Sequence, residues 1–158
     1  TLISANIGDS RGVLSRNGTA IDLTRDHKPN DDKEKARILA KGEKIEWDHY
    51  CKVHRVRNLS LSRAIGDRFA KPVVSGEVEI KSFPVYDDKD EFIILASDGL
   101  WDVMDADDAI RIIRGLLFEK KWPAKKAAAR LAEVAIHLGS SDNITVIVIR
   151  FFTSVDDH

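Results

Sequence analysis

Hydrophobic and polar positions alternate along the early part of the chain and give way to helical spacing later on. A continuous apolar run, residues 92–96 (FIILA), lies between the two regimes. Such a run has the length of a strand buried on both faces and is too short for a buried helix. It stops on Ser97, Asp98 and Gly99. Ahead of it, residues 2–7 and 12–15 read as strands around a tight turn at Gly8, Asp9 and Ser10, and Asn17–Gly18 turns into a third strand over 20–23. Residues 45–47 and 53–56 predict short strands flanking an aromatic and polar loop. Residues 59–67 predict an ordered loop with a helical turn, and 78–83 a further strand that ends at Pro84.

Helical spacing accounts for most of the rest. Asp31 with Glu34 three residues on resembles a capping box, predicting a helix over 31–41 with Gly42 as its stop. Asp105 is a good N-cap for a helix whose Ala109, Ile110, Ile113, Leu116 and Leu117 share one face. Pro123 restarts the chain, Ala127, Leu131, Val134, Ala135 and Leu138 form the next stripe, and Gly139 ends it. Residues 143–152 (NITVIVIRFF) are β-branched and read as a central strand. Strands followed by an antiparallel helix pair imply an α+β fold, with helices covering a mostly antiparallel sheet.

Composition narrows the function classes. At 158 residues, 43% hydrophobic and 32% charged, the chain is one soluble domain or a large piece of one. A net charge of −1 with both signs interspersed gives neither the footprint of a nucleic-acid binder nor a basic face for a membrane. Cys51 is the single cysteine, which fits a reducing, intracellular compartment. No apolar run approaches the ~20 residues that span a bilayer. Thr1 opens directly into strand-like sequence without an initiator Met, so the expectation is that the chain continues something longer.

The candidate chemistry lies in where the acids fall. Asp9 sits in a turn, Asp98 where the apolar run stops, Asp102 four residues later and Asp142 just before the last strand. If residues 99–104 make a turn of helix, Asp98 and Asp102 share a face, where like charges cost roughly 0.2–0.5 kcal/mol when exposed. Oxygen ligands at several points of a rigid frame suit a hard divalent cation, magnesium or manganese rather than zinc. Asp98 as a mere helix cap, Asp9 as a turn residue and Asp142 as a cap remain open readings. His27, His49, His54, His137 and His158 are scattered and match no zinc spacing, so each reads as a surface or structural residue.

Five segments resemble the metal-dependent protein phosphatases of type 2C, the PPM family. They are GDSR at 8–11, LTRDHKP at 23–29, LSRAIGD at 61–67, LASDGLWDVM at 95–104 and GSSDNITVIVI at 139–149, in the family's order over nearly the whole chain. The resemblance implies a β-sandwich flanked by helix pairs. It also implies two metal ions bridging a water or hydroxide that attacks phosphoserine or phosphothreonine. On the matching positions, Asp98 and Asp142 would be ligands of that pair, and Asp9 and Asp102 would help Asp98 hold a weaker third ion. The family's N-terminal phosphate-gripping arginine and its DGHGG motif have no counterpart here. Residues 1–158 therefore resemble the C-terminal half to two thirds of a single catalytic domain. Lys41 with Gly42 stands where the family often has two glycines, and Asn58 where it usually has Gly.

The implied function is a protein serine/threonine phosphatase whose partner is a phosphoprotein, acting as a monomer in the cytoplasm or nucleus, with these residues inactive by themselves. The alternative is a phosphatase-like binding or regulatory module without chemistry. Trp47, in the flap stretch after Gly42, resembles a tryptophan that some plant members present to a regulatory partner. A buried core tryptophan is the reading preferred from the residue alone.

Overall fold

The computed structural model describes residues 1–152. In chain order it holds β1 (Leu2–Asn6), β2 (Arg11–Arg16), β3 (Thr19–Asp22), α1 (Asp32–Ala40), β4 (Glu46–Asp48), β5 (Val53–Arg55), β6 (Glu79–Phe83) and β7 (Asp90–Ala96). After these come α2 (Asp98–Trp101), α3 (Ala106–Arg114), α4 (Ala124–His137) and β8 (Val146–Arg150). The fold is α+β with antiparallel sheets, as the pattern implies. Two compact units divide the chain: one takes Thr1–Ser4, Ser10–Thr24 and the described residues from Lys81 onward, the other Ala5–Asp9 and Arg25–Ile80. β1 and β6 form a two-stranded ladder.

The first unit is built on a four-stranded sheet, order β3-β2-β7-β8. β7 runs antiparallel to both neighbours, with Ile94 opposite Val13 on one side and Val148 on the other. Val13, Phe92 and Ile94 bury one face of the sheet in a core with Leu100, Ile110, Ile113, Leu117 and Leu131. Each such side chain contributes about 1.5–3 kcal/mol on leaving water. α3 is continued by a π turn over Gly115–Glu119, closed by Lys120 N–H donating to Gly115 O at 3.1 Å, and Leu116 and Leu117 of that turn are buried in the same core.

Three strand expectations are corrected here. The segments around Gly8 do not form a hairpin, because β2 pairs with β3 and β7. Gly12, Val13, Leu14 and Ser15 are all buried, and β2 has a partner along each edge. Residues 143–152 supply an edge strand, shorter than expected, in which Val146 and Val148 face the core and Ile147 and Ile149 are exposed. β-branched residues on both faces hide that alternation from a reading by composition. Leu95 is likewise exposed, so the 92–96 run is not buried on both faces throughout.

The second unit packs α1 over Val56, Ala70, Val73 and Val74 through Ile38. Asp31 caps α1, accepting from Lys33 N–H and Glu34 N–H. Glu34 does not complete a capping box, because its carboxylate is buried and taken by other partners. β4 and β5 make a hairpin with Trp47 opposite His54. Trp47 is 44% exposed and touches His54 and His49 edge-on, with ring centroids 4.8 and 6.4 Å away. It is not a core tryptophan: the short hairpin turns it outward instead of over the Ile38 cluster. Residues 59–67 carry bridges and bends, and the helical turn expected there comes later as a 3-10 turn at Arg68–Ala70.

Candidate functional site

β7 ends at Ala96, and Ser97 in extended conformation starts α2, so Asp98 is the first residue of a short helix. Asp102 N–H donates to Asp98 O at 2.8 Å, which makes the expected single turn between these acids real. Leu100, Trp101 and Met104 are buried and Trp101 Nε1 donates to Ala96 O at 3.1 Å. The apolar side of the turn is thereby pinned, leaving Asp98 half-buried and Asp102 exposed.

The loop before β8 is stitched to this turn. Ser97 Oγ donates to Asn143 O at 3.2 Å and accepts from Thr145 N–H at 3.1 Å, Ser97 N–H donates to Thr145 O at 3.1 Å, and Ser140 Oγ donates to Gly99 O at 2.6 Å. Gly99 has no room for a side chain: a Cβ there would stand 2.3 Å from Asn143 O. With Ala96 opposite Val146, these bonds bring Asp98, Asp102 and Asp142 to the same end of the β7–β8 pair. Asp142 is exposed, and its Oδ1 accepts from Asn143 N–H at 2.6 Å.

Asp9 belongs to the second unit, on the turn after Gly8. Lys28 Nζ lies 3.8 Å from its Oδ2, a basic neighbour that no sequence spacing announced. Among the described residues no three His, Cys, Asp or Glu side chains converge to hold a metal ion. Within the first unit, Asp98, Asp102 and Asp142 do not close into a group of three, although the two motifs that carry them are joined directly. Of the histidines, His49 and His137 are exposed, His54 is half-buried, His27 is buried, and His158 lies outside the described residues.

One group that the sequence reading missed is the buried carboxylate of Glu34. It accepts from Arg63 Nη2 at 2.6 Å, Arg37 Nη2 at 2.8 Å and Ser62 Oγ at 2.9 Å. Burial raises the affinity of this carboxyl for a proton, but Arg63, Arg37 and Ser62 together outweigh it and leave the group well below the usual carboxylate range. Arg63 spends its remaining nitrogen on Glu77 O at 3.2 Å. The LSRAIGD segment is thus tied to α1 through charge. A glutamate three residues after an N-cap gave no hint of this, since capping explains the same spacing.

A sequence profile described as Protein phosphatase 2C matches residues 1–144. The chain belongs to the protein phosphatase 2C family. Among its relatives, "Probable protein phosphatase 2C 8" of Oryza sativa subsp. japonica is 47% identical, over 94% of this chain and 38% of that protein. "Probable protein phosphatase 2C 59" of Arabidopsis thaliana is 43% identical, over 96% of this chain and 46% of that protein. The chain spans less than half the length of these curated relatives. A serine-threonine phosphatase 2C from Toxoplasma gondii superposes with a TM-score of 0.80 at 30% identity, covering 95% of this chain and 54% of that structure. A sex-determining protein of C. elegans gives a TM-score of 0.83 at 29% identity, covering 94% and 36%. No helix among the described residues is long and apolar enough to cross a membrane.

Proposed function

We propose that the whole protein is a magnesium- or manganese-dependent serine/threonine phosphatase, and that this chain contributes Asp98, Asp142, Asp9 and Asp102 to its metal centre. Besides family membership, the observation that supports this reading is the stitching of the 140–145 loop onto Ser97–Gly99, which delivers Asp98 and Asp142 to one end of the sheet on rigid supports. Carboxylates at fixed points are what hard cations bind. Since Asp98, Asp102 and Asp142 do not close into a cage among themselves, the remaining ligands would come from elsewhere in the whole protein. The substrate is a phosphoprotein, the compartment is intracellular, and the protein acts as a monomer with a regulatory partner docking at the hairpin that carries Trp47.

Hydrolysis of a phosphothreonine peptide by the whole protein, with manganese present, tests the reading. Asp98→Asn or Asp142→Asn should lower turnover by orders of magnitude with the melting temperature unchanged. Asp102→Asn should also slow it, with part of the loss recovered at high metal by mass action. Near-wild-type rates in both of the first two variants would sink the assignment. No hydrolysis by the wild type would favour a binding module of phosphatase shape.

A further inference from the structure

Three of the segments that carry the family resemblance meet at one buried histidine. The His27 ring has no exposed surface. Its backbone N–H donates to Gly8 O at 2.9 Å, and Gly8 N–H donates back to His27 Nδ1 at 3.1 Å. Ser62 N–H donates to His27 O at 2.7 Å, which ties in the LSRAIGD segment. Gly8 of GDSR, His27 of LTRDHKP and Ser62 of LSRAIGD are therefore joined around a single residue, and all three lie inside one compact unit.

The hydrogen bonds fix the state of the ring. A nitrogen that accepts an N–H carries no proton, so the neutral ring holds its proton on Nε2. Nε2 faces Glu79 Oε2 at 3.3 Å, and Arg25 Nη2 holds the same Oε2 at 2.7 Å. Burial first, and the charge of Arg63 second, push the ring toward the neutral form against the opposing pull of Glu79 and Glu34. Gly8 has φ +107°, a region that side-chain-bearing residues rarely adopt, so the turn depends on what grips its backbone. His27 takes both of Gly8's polar groups, and Asn6 Nδ2 adds a weaker bond to Gly8 O at 3.3 Å. The next residue is Asp9, whose carboxylate faces Lys28, the next residue after His27.

We propose that His27 is the positioning residue of the Asp9 carboxylate: in its Nε2–H tautomer it accepts from Gly8 N–H and so sets the turn that presents Asp9. The consequence for metal binding rests on Asp9 having the role given under Proposed function. The clamp itself does not.

Two substitutions separate the two ends of the ring in the whole protein. In His27→Asn the side-chain oxygen can stand close to the place of Nδ1, so the bond from Gly8 is kept and the contact to Glu79 is lost. His27→Gln places its amide nearer Nε2 and leaves Gly8 N–H without an acceptor. Hydrogen exchange at the Gly8 amide should accelerate about tenfold in His27→Gln and stay near wild type in His27→Asn. The manganese concentration for half-maximal hydrolysis should rise in His27→Gln alone, with the rate recovered at high metal. Long-range proton–nitrogen spectra of the wild type need no variant to fold, and they should show Nδ1 unprotonated.

A proton on Nδ1, or equal Gly8 protection in both variants, would overturn the clamp. Faster exchange with an unchanged metal requirement, where Asp9→Asn raises that requirement, would overturn the positioning role. If Asp9→Asn leaves the metal requirement unchanged, the Asp9 assignment fails and the positioning role with it, while the exchange data still judge the clamp.

Discussion

Glu34 shows how a single residue can bind a unit together. Its carboxylate is 1% exposed, and its arginine partners are between 11% and 22% exposed. Removing one partner from a buried charge cluster costs about 3–5 kcal/mol, because the charges left behind have nothing to face. Glu34→Gln should therefore lower unfolding free energy by about 3 kcal/mol, toward the low end because the arginines reach solvent. Urea unfolding followed by fluorescence would read it. The sign with pH follows from the depressed carboxyl: its stabilisation is full above the unfolded-state value, about 4.3, and is lost as pH falls below that. Acid unfolding of the wild type should start at a higher pH, and be steeper, than the loss of surface pairs alone would give, and Glu34→Gln should show a flatter acid limb. An unchanged acid limb in the variant would mean that other carboxylates control it.

At the scale of elements, the junction between α2 and the loop before β8 is held by contact distance. Gly99 has an ordinary φ, so its small size is required by the approach of Asn143 O and not by backbone conformation. Gly99→Ala forces backbone against a Cβ, an overpacking that costs about 1–3 kcal/mol. Thermal unfolding should register that loss, and metal affinity in calorimetry should fall as Asp98 and Asp142 move apart. A stable variant with unchanged affinity would show that the junction is elastic. The β4–β5 hairpin predicts the opposite balance. Trp47 is half-exposed there, so Trp47→Ala should change stability by only about 0.5 kcal/mol. Altered preference among phosphopeptides, or altered partner binding, would then mark it as a contact residue. A drop of several degrees in melting temperature with nothing else changed would return it to a packing role.

For the whole molecule, these 158 residues alone should show no metal-dependent phosphatase activity. Their acids do not converge as a group of three among the described residues, so a bound cation would meet too little ligand charge. Magnesium affinity no better than roughly millimolar is the expected outcome of calorimetry, the weak end for oxygen-ligand sites. Adding, as a separate chain, the portion of its relatives' length that this chain does not span should restore activity if the pieces assemble. Clear hydrolysis by the 158-residue chain, free of contaminating phosphatase, would show that the catalytic residues have been misplaced.

Periodicity and caps are local, and what they govern was legible in the sequence: the buried strand ending at Ala96, the turn joining Asp98 to Asp102, the Asp31 and Asp105 caps, and the apolar stripes of α3 and α4. The α+β class followed from their order, and the phosphatase family from five short motifs. What the tertiary structure alone decided depends on pairs distant in sequence. β2 paired with β3 and β7 and not with β1, and β8 took an edge position although its β-branched residues read as a central strand. Trp47 turned outward with its hairpin. His27 closed on Gly8, and Glu34 on Arg63, because burial leaves a polar group in need of a partner and says nothing of where along the chain that partner lies.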